Sequence, residues 1–142
     1  MAYCDVNYAD GYFANRAFSE KWTGDRKSVY LETATTLIRR YCEFEDEYGE
    51  VFTYKDDASP DWLKEATCEE ALYLLNLGKD PTQPLKVHTL GIIRTDDGTT
   101  FDHQFSADIL CASCRTILES NGGIISSEAV VKSQIRQGRW IR

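Results

Sequence analysis

Apolar side chains recur at helical spacing in four stretches of the chain, and polar residues fill the positions between them. The best bounded stretch runs from Ser59 to Gly78. Ser59 is placed to cap the first free amides, Pro60 fits a first helical position, and Asp61 sets negative charge at the positive end of the helix dipole. Leu63, Ala66, Ala71, Leu74 and Leu75 form its apolar stripe, widened by Cys68 and Leu72, while Lys64, Glu65, Glu69 and Asn76 are left for water. Gly78 supplies the left-handed stop. A first helix is expected from Asp5 or Asn7 to about Arg16, with Val6, Ala9, Tyr12 and Phe13 on one side. A second opens at Asp25 or Ser28 and runs to about Cys42 on Tyr30, Ala34, Leu37, Ile38 and Tyr41. A fourth is expected from Ser106 to about Ser120 on Ile109, Leu110, Ala112, Cys114, Ile117 and Leu118, ended by Asn121-Gly122-Gly123.

The helical period lapses in three places. Residues 43–57 hold seven carboxylates, one lysine and four aromatics, and read as an exposed acidic loop. Pro81 and Pro84 end the helical block, and β-branched residues on either side of Asp96-Asp97-Gly98 predict a hairpin or bent loop over about 85–104. Beyond Gly123 no helical face is sustained, and residues 121–142 read as an extended arm. The expected fold is therefore mainly α: a small bundle of about four helices over residues 1–120, with a β-hairpin or extended loop and an extended C-terminal arm over 121–142.

Charge adds an asymmetry. The chain of 142 residues carries a net charge of −7. Residues 121–142 carry +3, which leaves −10 for residues 1–120. Such an acidic body argues against a general nucleic-acid binder, which needs clustered cations to release counterions from phosphates. No apolar run is long enough for a membrane span and no secretory leader is evident, so a cytosol-like compartment is expected, with the five cysteines as reduced core thiols.

Little catalytic chemistry is offered. Cys111-x-x-Cys114 has the spacing of a redox pair or half a zinc site, but the expected helix buries both a full turn inside it, away from the helix start that lowers a thiol pKa. His88, His103 or Cys4 would have to complete a zinc site from distant positions. The acidic loop lacks the ligand order of a calcium site. No phosphate loop, nucleophile elbow or paired catalytic constellation is present, so neither an enzyme nor a cofactor or metal is expected. The arm draws more interest: Val130, Val131, Ile135, Trp140 and Ile141 alternate with Arg136, Arg139 and Arg142. Spanning about 70 Å when fully extended, it suits insertion into an acidic or carbonyl-rich groove of a partner, with docking on its own domain as the alternative. Tyr12, Trp62 and Tyr73 lie outside the main stripes and are candidates for contacts between subunits.

Several stretches together, Ala2-Tyr-Cys-Asp-Val-x-Tyr-Ala-Asp-x-Tyr-Phe-Ala-x-Arg16, Trp22, Thr33-Ala-Thr-x-Leu-Ile38 and Pro60-x-Trp-Leu-Lys-Glu-Ala-Thr-Cys-Glu-x-Ala-Leu72, resemble the head–tail connector (adaptor, or head completion) proteins of tailed bacteriophages. The likeness covers roughly the first ninety residues and departs from the family at the acidic segment 43–57. It implies a structural virion protein of the neck, made in the host bacterial cytoplasm and placed at the head–tail interface. It further implies a closed homo-oligomeric ring of about twelve copies on the portal protein, which extends the channel for genomic DNA without specific binding. A downstream neck or tail protein would dock on the ring. By position and character, the portal-binding segment would be Val130, Val131, Ile135, Arg136, Arg139, Trp140, Ile141 and Arg142. Some members of the family carry a DnaT-like single-stranded-DNA-binding label. That alternative, a replication accessory protein, would draw on Arg39, Arg40, Lys132, Arg136 and Trp140.

Overall fold

A computed structural model describes residues 2–82 and 107–130. Over these residues the chain is a mainly helical bundle with a small sheet at one side. Four α-helices are described: α1 Val6–Ala14, α2 Lys27–Tyr41, α3 Asp61–Leu77 and α4 Ala112–Ser120. Three short strands, β1 Cys42–Glu45, β2 Val51–Phe52 and β3 Ile124–Ile125, pair in the order β2-β1-β3, antiparallel throughout. The hairpin expected over 85–104 lies outside the described residues.

α3 is the centre of the bundle, packed chiefly between α2 and α4, with α1 against both α2 and α3. All seven residues from Ala66 to Leu72 are buried. A helix covered on opposite sides by two others has no solvent face along its middle. That corrects the expectation that Glu69 remains for water: it is 6% exposed, and its neighbour Glu70 is 0% exposed.

The helix ends show what the residue pattern reads well and what it misses. Asp5 caps α1, its carboxylate accepting from the Tyr8 amide at 2.8 Å. Gly78 ends α3 in the left-handed conformation, φ 73°. α2, by contrast, follows Arg26 with no side-chain cap, so neither Asp25 nor Ser28 caps it. Ser59 does not cap α3 either. A 3-10 turn, Asp56–Ala58, precedes it, and the Ser59 hydroxyl donates to the Lys55 carbonyl at 2.8 Å, closing that turn instead. α4 starts at Ala112, later than the expected Ser106. Its approach bends at Ile109 and Leu110, whose amides both donate to the Ala129 carbonyl and so are not free for a helix.

Segment 43–57, expected as a solvated loop, opens as a hairpin. Asp46 organises its turn, its side chain accepting from the Tyr48 and Glu50 amides at 2.8 and 3.0 Å. Glu43, Glu45, Glu47 and Glu50 face water, while Phe44, Phe52 and Tyr54 gather on Trp62 of α3. Past α4, Gly122 at φ 91° turns the chain and Gly123 brings it against β1. A Cβ on Gly123 would lie 2.8 Å from Cys42 Sγ and 2.9 Å from the Leu118 carbonyl oxygen, so only glycine lets the backbones approach this closely. Residues 124–130, the start of the expected arm, belong to the packed domain: β3 pairs with β1, and a second 3-10 turn, Ser127–Ala129, buries Ala129.

Candidate functional site

Two buried carboxylates on α3 accept hydrogen bonds from the parts of the chain around α1 and α4. Glu69 receives α1: Arg16 donates from Nε at 2.6 Å and from Nη2 at 2.7 Å, and the Tyr12 hydroxyl donates at 2.5 Å. This two-pronged contact matches the guanidinium fork to both carboxylate oxygens, the strongest geometry for such a pair. The bond to Glu69 raises the Arg16 pKa, and burial, with Glu69 beside it, raises that of the Tyr12 phenol. Glu70 receives α4: the Cys111 amide donates to Oε1 at 2.8 Å. Cys111 is the residue at the N-cap of α4, so Glu70 satisfies a free donor that the helix itself cannot. Oε2 of Glu70 has no hydrogen-bond partner among the described residues. Burial pushes the Glu70 carboxyl up to about 8, outweighing the bonds from Cys111 that favour its charge.

This geometry also changes the reading of Cys111-x-x-Cys114. The pair sits at the start of α4, not a turn inside it, which is where a redox pair would gain a low pKa. Its surroundings act the other way. Burial, with the Glu70 carboxyl beside it, pushes the Cys111 thiol up to about 12, and Cys114 is raised well above its ordinary value for the same reasons. Cys42 is raised by burial to about 11, and Cys68, whose thiol shares a hydrogen bond with that of Cys4 with 3.6 Å between the sulfurs, is raised as well. All five cysteines are buried and free, as packing residues are. Among the described residues, no group of three or more His, Cys, Asp or Glu is placed to hold a metal ion, and no helix is long and apolar enough to cross a membrane.

The aromatics expected at subunit contacts are tied inside this domain. Tyr12 serves Glu69. Tyr73 donates to the Asp108 carbonyl at 2.6 Å, and burial raises its phenol to about 12. Trp62 packs edge-on against Tyr54 at 5.6 Å in the hairpin cluster. Each is half-buried and keeps some surface for a neighbour. Val130 is half-buried against the core. Val131, Ile135, Arg136, Arg139, Trp140, Ile141 and Arg142 lie outside the described residues. Of the cations that a DNA-binding reading would use, Arg39 is committed to the fold, paired with Asp56 and lying over the Tyr3 ring at 4.7 Å.

The sequence reading missed Phe18. It is 83% exposed and is the one non-glycine among the described residues with positive φ, at 63°. Nothing in Ala17-Phe18-Ser19 signals a left-handed residue. Tyr48, 82% exposed at the hairpin tip, was foreshadowed by the acidic, aromatic turn around it.

The chain matches no protein-family model, no curated protein and no solved structure.

Proposed function

We propose that this chain is a structural subunit of a tailed-phage neck: a non-enzymatic adaptor that assembles as a ring on the portal, extends the DNA channel and presents a surface to the next neck or tail protein. The observation that carries this reading is that the residues bearing the resemblance form one bonded unit. The Tyr3 amide donates to Thr35 at 3.0 Å, Cys4 meets Cys68, Arg16 and Tyr12 meet Glu69, and Phe13 packs at a tilt against Trp22 with ring centroids 4.8 Å apart. Four separated stretches of similar sequence thus correspond to a single folded object.

Two further features support it. The acidic balance of residues 1–120 suits a channel that must let DNA pass without gripping its phosphates. The polar groups buried at the bundle centre are used to fasten helices, and the thiols there are held protonated, which fits a subunit whose work is assembly. The segment from Val131 to Arg142, with Val130 at its anchored root, is the proposed portal contact. The test is to mix purified protein with purified portal and image the complex by negative stain. Rings stacked on the portal are expected, and their loss on deletion of residues 131–142 would place the contact in that segment. An absence of binding by the full chain would reject the reading. A salt-dependent affinity for single-stranded DNA would instead favour a replication accessory role.

A further inference from the structure

Phe18 stands out because its surroundings are rigid while its side chain has nothing to hold. On one side Arg16, fixed by Glu69, donates from Nη1 to the Ala17 carbonyl at 2.7 Å. On the other, the Ser19 hydroxyl donates to the Phe13 and Arg16 carbonyls at 3.0 and 2.7 Å, and the Trp22 amide donates to the Ser19 carbonyl. A fixed loop thus forces a bulky residue into a left-handed conformation that it disfavours and displays its ring to water. Strain of this kind persists where the surrounding structure over-determines it, and it gathers at functional positions. An exposed aromatic on a backbone held in this way is the type of group that anchors an interface, since little backbone freedom is lost when it docks.

A receiving surface lies at the other end of α1. A groove of about 670 Å³ is lined by Ala2, Tyr3, Cys4, Val6, Tyr8 and Leu31, with Asp5, Glu32 and Lys64 among its polar residues. Glu20 and Lys21, exposed just beyond Phe18, offer the opposite charges to Lys64 and to Asp5 and Glu32. Phe18 does not fill the groove of its own chain, because its ring is in solvent.

We infer that Phe18 of one copy inserts into the groove beside Val6 and Tyr8 of a second copy of this chain, a head-to-tail contact whose repetition closes the ring. The inference rests on the ring reading and names its subunit interface. Knob and groove are different patches of one surface, so the contact is heterologous and propagates from copy to copy, the type of contact from which a closed ring is built.

The test is sedimentation velocity on the full chain over a concentration series. Phe18→Asp removes the knob, and Val6→Glu blocks the groove while keeping a residue suited to the first turn of a helix. Wild type should self-associate, and each variant should remain monomeric over the same range, with affinity at least about tenfold weaker. An equimolar mixture of the two variants should give dimers and nothing larger, because only one intact knob and one intact groove remain. Phe18→Gly separates folding from docking: it should melt higher than wild type, through relief of the left-handed strain, yet fail to associate. Undiminished association of Phe18→Asp, no dimer from the mixture, or a wild type that stays monomeric would overturn the inference. Rings of Phe18→Asp on the portal would overturn it while leaving the ring reading intact, whereas wild type without rings on the portal would remove that reading itself.

Discussion

Replacing Glu70 by glutamine tests how the bundle centre is balanced. The carboxyl is 0% exposed and titrates near 8 in the fold, against an ordinary value of 4.5, chiefly because burial penalises its charge. Between these two values the folded protein holds a proton that the unfolded chain has released, so stability falls as pH rises through the window. The contribution is complete below about pH 4.5 and fully lost above about pH 8. At roughly 1.4 kcal/mol per unit, the native state loses on the order of 5 kcal/mol in all, about 3.5 of it by neutral pH. Glu70→Gln keeps an oxygen for the Cys111 amide and removes the titration. Urea unfolding followed by tryptophan fluorescence, in steps from about pH 5 to about pH 9 with reductant present, should show wild type weakening relative to the variant by that amount. Parallel curves for the two proteins would refute the reasoning.

Gly123→Ala should cost about 1–3 kcal/mol in the same unfolding assay, since the added methyl meets a backbone carbonyl and Cys42 Sγ with no room to move. Arg16→Ala should cost about 2–3 kcal/mol by thermal melting, because Glu69 would keep a buried charge that only Tyr12 still serves. Deleting residues 131–142 should leave the unfolding free energy within about 0.5 kcal/mol of wild type while removing portal binding in a pull-down. Iodoacetamide should label Cys111 and Cys114 slowly in the folded protein at about pH 7.5 and rapidly in urea, as read by mass spectrometry.

Periodicity was enough for the architecture. The apolar stripe of α3, the Asp5 cap and the Gly78 stop all depend on neighbours within a turn or two, and each stands where the residue pattern puts it. Features that depend on distant chain were not legible. Glu69 and Glu70 look like solvent positions on one amphipathic helix, and only the arrival of Arg16 from α1 and Cys111 from α4 makes them interior. Ser59 and Ser106 both follow the rule for capping residues, yet Ser59 closes a 3-10 turn and α4 waits until its approach is released from Ala129. The hairpin at 42–52 could have been read from alternation: Phe44 and Phe52 point inward on either side of an Asp46-to-Gly49 turn, but the five carboxylates among these residues masked that period. Phe18 had no local signal at all, because its conformation is imposed by bonds from Arg16 and Ser19 to flanking carbonyls.

The central claim is that this small acidic bundle is a ring-forming connector. The most direct measurement is the mass and negative-stain image of the purified full chain bound to purified portal. The account predicts a closed ring of subunits, about twelve in number, stacked coaxially on the portal. A portal preparation that emerges bare, or that binds the chain as isolated monomers with no ring, would contradict it.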